Sequence, residues 1–236
     1  MRFIICDGSD NCGKSGVIKR ICDFCEKCGV RLPTILKFPS AEIFQTEVAR
    51  RLFGDGDESA RATFVDMIVA EARKEILRVI ELKAADPETV DDDVFVDRLF
   101  VSTLVYQGSG AEGGFEAERI ICEKYDVMFK EIGIDPRDVY HYVFVYPLKS
   151  CDKGETDPLK LKLDAKTAIH VNRTIRLIEA IRTGAVKSEY LRNLTVFNEG
   201  EHAYRSGEGL SDEEIDDIQK RRANQILYTH LMCGGV

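Results

Sequence analysis

At 236 residues, with 44% hydrophobic and 31% charged residues, the chain is long enough for one α/β domain with an inserted lid and can bury a core. Its formal net charge of −8 argues against a nucleic acid polymer as partner, because phosphate contacts along a polymer need clustered Lys and Arg; a local phosphate site remains possible. No run of about 18 apolar residues occurs, and Met1 to Asp7 lacks the long apolar core of a signal peptide, so no membrane partner and a cytoplasmic location are expected.

Arg2 to Asp7 is a short apolar run ending at a glycine, the pattern of a buried parallel strand. A helix is predicted from Lys14 to about Cys28, with Gly29 as its stop. Its Cys22, Cys25 and Cys28 have ligand-like spacing, but no fourth Cys or His lies nearby, and on a helix they read as small apolar fillers. Thr34 to Phe38 is a second strand, halted by Pro39. Ala41 to Phe53 has helical spacing, broken at Gly54-Asp-Gly56. A long helix is predicted from about Ser59 to Ala85, with Phe64, Ile68, Ala72, Ile76 and Ile80 as its buried stripe.

Val94 to Asp97 is the third strand, followed by a helix from near Arg98 to Gly108. Ile121, Tyr125, Met128, Phe129 and Ile132 give the next helix its apolar face, and Tyr140 to Tyr146 is the fourth strand. Residues 147–164 carry turn residues and lysines and read as a mobile lid. Helix resumes at about Ala165 and runs to Arg182. Leu194 to Phe197 is the fifth strand, and a last helix opens at Ser211 with Glu214 three residues on, a capping-box pattern. Strands alternating with helices, without a repeat or a clear boundary, predict one domain over 1–236 built on a five-stranded parallel sheet.

Gly8-Ser9-Asp10-Asn11-Cys12-Gly13-Lys14-Ser15 matches the Walker A pattern G-x4-G-K-[ST], between an apolar strand and a helix. Glycines let such a loop curl so that successive N–H groups face phosphate oxygens, and the helix N-terminus adds positive partial charge. The predicted fold is therefore a P-loop NTPase three-layer sandwich with a lid. Residues 8–16, through Gly16, are the expected ATP-binding loop. Lys14 would neutralise the β- and γ-phosphates, and the Ser15 hydroxyl would reach Mg2+. Further on, Asp97 and Arg98 close the third strand, at the edge where open α/β sheets bind ligands. Asp97 could hold Mg2+ through water, and Arg98 could grip an acceptor phosphate. An Asp–Arg cap at a helix start would look the same.

The run Asp97-Arg98-x3-Ser102-Thr103-x2-Tyr106-Gln107-Gly108 resembles the second signature of the thymidylate kinases, and Asp7-Gly8-x-Asp10-x2-Gly13-Lys14-Ser15 resembles their P-loop. Lys37-Phe38-Pro39 is similar to the family's Phe-Pro segment, and Met67 to Arg73 to its Leu-Leu-Phe-x-Ala-x-Arg helix. The resemblance implies γ-phosphoryl transfer from ATP to a deoxynucleoside monophosphate, dTMP foremost, in a homodimer. It implies that Asp10 bonds the acceptor's 3′ hydroxyl, that Arg98 binds its phosphate, and that Arg73 contacts its base or phosphate. Phe38 and Pro39 would line the base pocket, with Ser102 and Gln107 beside them, and Tyr106 would pack on the sugar and disfavour a 2′ hydroxyl. Departures are Val69 where the family stacks an aromatic ring, Asn11 and Ala41 where some members have arginine, and a lid offering Lys149, Lys153, Lys160 and Lys162 rather than arginine. Lys153 is the expected lid cation. Two other readings stay open: a nucleotide-binding switch without transfer, and a deoxynucleoside kinase, against which Arg98 and Arg73 count. Among monophosphates, dUMP and dGMP are the alternatives to dTMP.

Overall fold

The computed structural model describes residues 1–8, 11–88, 93–108, 114–148, 158–206 and 209–232, with backbone only at 158–165 and 231–232. In chain order the strands are β1 (Arg2–Gly8), β2 (Thr34–Lys37), β3 (Asp93–Asp97), β4 (Val139–Phe144) and β5 (Asn193–Phe197). The helices are α1 (Lys14–Lys27), α2 (Ala41–Phe44), α3 (Glu47–Ala49), α4 (Arg61–Ala85), α5 (Phe100–Gln107), α6 (Glu116–Glu131), α7 (Pro158–Thr183), α8 (Glu201–Ser206) and α9 (Asp212–Leu227). All strand pairs are parallel, in the order β2-β3-β1-β4-β5.

Alternation along β1 builds the three layers. Phe3 and Ile5 join Val94, Val96 and Val143 against α4, α5, α6 and α7, with Ile76, Phe100, Tyr125 and Phe129 in that core. Ile4 and Cys6 face the other way, where Phe95, Phe144 and Phe197 meet Val17, Ile18, Ile21 and Cys25 of α1 and Ala223, Ile226 and Leu227 of α9. A parallel sheet needs both faces covered, and these clusters cover them. Cys25 is one of the small fillers expected of α1, while Cys28 is exposed. Among the described residues no helix is long and apolar enough to cross a membrane.

Several boundaries differ from expectation. The segment 41–53 is not one helix: Thr46 starts α3 by accepting from the Ala49 N–H at 3.3 Å, and a π-helical turn (Arg50–Gly54) follows. On α4 the buried stripe ends at Val79, not Ile80, because each four-residue step overshoots a 3.6-residue turn. Helix α7 begins at Pro158, inside the expected lid; proline is at home in a first helical turn. Residues 149–157 of that lid lie outside the described residues. The short helix α8 was not expected.

Candidate active site

The Walker A loop leaves β1 at Gly8, whose φ is 146° and where an added Cβ would lie 2.3 Å from the Phe144 carbonyl oxygen. Only glycine fits there. Asn11 (φ 59°) and Gly13 (φ 89°) are left-handed, and Gly13 caps the N-terminus of α1. Neighbouring elements hold the loop. The Leu148 N–H donates to the Asn11 carbonyl at 2.9 Å, and Arg222 Nη1 of α9 donates to the Cys12 carbonyl at 2.8 Å. Lys14 Nζ lies 3.1 Å from the Gly8 oxygen and 3.3 Å from Cys12 Sγ. Residues 11–16 line a cavity of about 550 Å³ together with Asp97, Arg98, Leu148 and, from α9, Ile215 and Gln219.

Asp97 ends β3 in register with Cys6 of β1 and Lys37 of β2, so its carboxylate rises at the sheet's C-terminal edge beside the loop. It is buried, and its Oδ1 has no hydrogen-bond partner among the described residues. A buried carboxylate oxygen without a donor is costly unless a cation completes it. Asp97 and the exposed Ser15 line the same cavity, so the donor set fits the hard, water-rich coordination of Mg2+.

Arg98 follows at φ 68°, strained for a residue with a side chain. Asp7 stabilises that turn: fully buried, it accepts from the N–H groups of Leu99 (2.9 Å), Val101 (3.1 Å) and Ser102 (3.0 Å), capping α5 from a neighbouring strand. Burial pushes the Asp7 pKa up, but His141, 3.5 Å away, and the amides outweigh it and leave the carboxyl below its usual range. Thus α5 starts at Phe100 rather than at Arg98, and the arginine is turned into the cleft. Its Nη1 donates to the Tyr106 hydroxyl at 3.3 Å, and its guanidinium stands 5.6 Å from the Tyr106 ring centre.

Beyond Arg98 opens a second cavity of about 420 Å³. Phe38, Pro39, Ser102, Tyr106 and Gln107, all expected at the acceptor, line it. So do Phe44, Phe53, Phe64 and Ile68, with Lys166 and His170 of α7. The His170 ring packs on Tyr106 with centroids 4.1 Å apart. Ser102 Oγ and Gln107 Oε1 are buried without a partner among the described residues.

Arg73 stands apart from the other expected residues. It is exposed, its Nε stands 3.6 Å from Glu131 of α6, and with Val69 it lines a separate surface groove between α4 and α6. Ile68 and Phe64 occupy the cleft side of α4 instead, and the next residue on that stripe is Ala72. Neighbouring helix positions are turned about 100° apart, so Arg73 and Val69 point elsewhere. Ser9, Asp10 and Lys153 lie outside the described residues. Sequence reasoning missed Gln219, Glu199 and Arg222. For Gln219 and Arg222 the only signal is a capped amphipathic helix, and Glu199 has none; nothing local ties Arg222 to a loop 210 residues earlier.

No protein-family model and no curated protein matches the chain. Among solved structures it is similar to the thymidylate kinase from Ehrlichia chaffeensis, with 16% identity over 95% of this chain and 97% of that one, at a TM-score of 0.54. The chain shares that structure's fold, a five-stranded parallel sheet flanked by helices. That likeness spans both chains almost end to end. At this identity it speaks for the fold alone, and activity and acceptor have to be argued from the cleft.

Proposed function

We propose that the chain is a nucleoside-monophosphate kinase that transfers the γ-phosphoryl group of ATP to a deoxynucleoside monophosphate, with dTMP as the first acceptor. The observation that carries this reading is the pair of cavities meeting at one wall: Phe38, Pro39, Phe44 and Arg98 line both. One holds a Walker A loop, and the other is apolar with a cation at its mouth. Two anionic ligands placed there would meet phosphate to phosphate across Arg98, the arrangement an in-line displacement needs.

An oxygen of the acceptor phosphate attacks the γ-phosphorus, the bond to the β-phosphate oxygen breaks, and ADP leaves. Residues 8–16 cradle the donor phosphates, with Ser9 and Asp10 in the part of the loop outside the described residues. Lys14 neutralises the β- and γ-phosphates, and Arg98 binds the acceptor phosphate. Ser15 and Asp97 would hold Mg2+, which supplies further neutralisation of the triphosphate charge. Lys153 is proposed as the lid cation, Asp10 as the partner of the 3′ hydroxyl, and Tyr106 as the sugar's wall. Phe44, Phe53 and Phe64 form an aromatic cluster, with Phe53 and Phe64 at 5.1 Å, suited to a flat base. The same reading carries a homodimer working in the cytoplasm.

An ATP-coupled assay with dTMP, dUMP, dGMP, dCMP and dAMP, and with thymidine alongside, tests it. Turnover is expected with dTMP above the others. No turnover of any monophosphate removes the proposal, and phosphorylation of thymidine alone would make the chain a nucleoside kinase.

A further inference from the structure

The C-terminal helix α9 reaches back to the phosphate-binding loop through Arg222, a side chain with no exposed surface. Its guanidinium serves three acceptors on two segments. Nη1 donates to the Cys12 carbonyl at 2.8 Å, Nε to Glu199 Oε2 at 3.1 Å, and Nη2 to the Glu199 carbonyl at 3.0 Å. The rings of Phe144 and Phe197 flank it, with centroids 5.1 and 5.5 Å away. Buried cations persist where geometry and partners are this complete. Three residues earlier on α9, Gln219 covers the same loop: a Cβ added to Gly16 would lie 2.5 Å from its Oε1.

We infer that Arg222 is a positioning residue for the donor nucleotide, fixing the Cys12–Gly13 peptide so that the Gly13 N–H faces the phosphate cavity. In a planar trans peptide the C=O and N–H point in opposite directions. Holding the Cys12 oxygen inward on Arg222 therefore turns the Gly13 N–H outward, into the cavity that Gly13 lines. The Leu148 N–H does the same to the preceding peptide by binding the Asn11 oxygen. Left-handed Asn11 and Gly13 on either side of Cys12 supply the turned backbone of an anion-binding nest. Alone, such a nest can flip its peptides; tied from α9, it presents its N–H groups before the ligand arrives, and binding need not order them. A lysine could not replace the arginine, since a point charge reaches one acceptor where the planar fork spans both segments. Glu199 supplies the countercharge and so sets the guanidinium's orientation.

This inference rests on the reading of the loop as the ATP site. Arg222→Lys and Glu199→Gln test it, each assayed well below its own melting temperature. Expected is a KM for ATP raised at least about tenfold in Arg222→Lys, and less in Glu199→Gln, with the KM for the monophosphate unchanged. Direct binding should weaken for ATP and ADP and stay the same for adenosine, because only phosphates meet the nest. A role confined to packing would lower the melting temperature and leave these constants alone; that result, or equal weakening of every ligand, overturns the inference. Should Arg222→Lys fail to fold, Glu199→Gln alone carries the test, since it keeps the arginine and a neutral acceptor. A wild-type protein that turns over while both variants match it sinks the inference and spares the function. Wild-type protein with no affinity for ATP sinks both.

Discussion

At the scale of single residues, the cleft concentrates features a stability-driven sequence would avoid. Arg98 adopts a left-handed backbone, and Asp97 buries a carboxylate oxygen without a donor. Such costs cluster where a ligand compensates them. Replacing the charge should therefore separate stability from activity. In Asp97→Asn the neutral amide removes the desolvation cost, so the melting temperature is expected to hold or rise. Turnover with ATP and Mg2+ should fall at least about a hundredfold. Thermal unfolding and the coupled assay together read this, and a destabilised variant with intact turnover would show that Asp97 is a structural cap.

At the scale of elements, rotation about a helix axis decides which residues reach the cleft. The α4 motif places an arginine at 73, but the buried stripe runs through Phe64, Ile68, Ala72 and Ile76, so Arg73 stands over α6. The turn before α5 shows the opposite case, because three amide bonds to Asp7 aim Arg98 inward. Two variants contrast these helices. Arg73→Ala should leave the acceptor KM within about twofold and cost no more than about 0.5 kcal/mol, as an exposed ion pair does. Arg98→Lys should raise the acceptor KM at least about tenfold, because the bidentate fork is lost. Steady-state kinetics over the monophosphate concentration reads both; an acceptor KM that rises in Arg73→Ala would mean that α4 turns its other face to the ligand.

For the whole molecule, both cavities open at the C-terminal edge of the sheet, beside the central strands β1 and β3, where open α/β sheets bind ligands. The far end is closed by the last described turn, Tyr228–Met232. Buried His230 pairs through Nε2 with the Tyr142 hydroxyl at 2.9 Å, and its carbonyl accepts from Arg2 at 3.0 Å. Burial, and then the charge of Arg2, pull its pKa down to about 4. An unfolded histidine titrates near 6.5, so between about pH 6.5 and 4 the unfolded chain binds the extra proton. Stability from this group is complete above that window and is lost as the pH falls through it, by at most on the order of 3 kcal/mol. Denaturant unfolding across this range should show the loss, and His230→Gln should flatten it. An equal slope in the variant would assign the loss to other groups.

Local chemistry written in consecutive residues was legible from the sequence alone. The strand–glycine loop–helix unit at 2–28 states a parallel α/β fold, because its apolar run, glycine turn and helix start depend on neighbours in the chain. Phe38, Ser102, Tyr106 and Gln107, expected together from the resemblance of the Phe-Pro and Asp-Arg segments, line one cavity. Rotation and distance were decided only by the tertiary structure. A one-residue offset on α4 turns an arginine away by about 100°, and no spacing rule sees which stripe a sheet will cover. Arg222 and Cys12 are separated by 210 residues, and their bond exists because Phe144 of β4 and Phe197 of β5 flank the guanidinium that α9 carries. A motif can name the loop that holds a phosphate; which remote side chain holds the loop is set by packing.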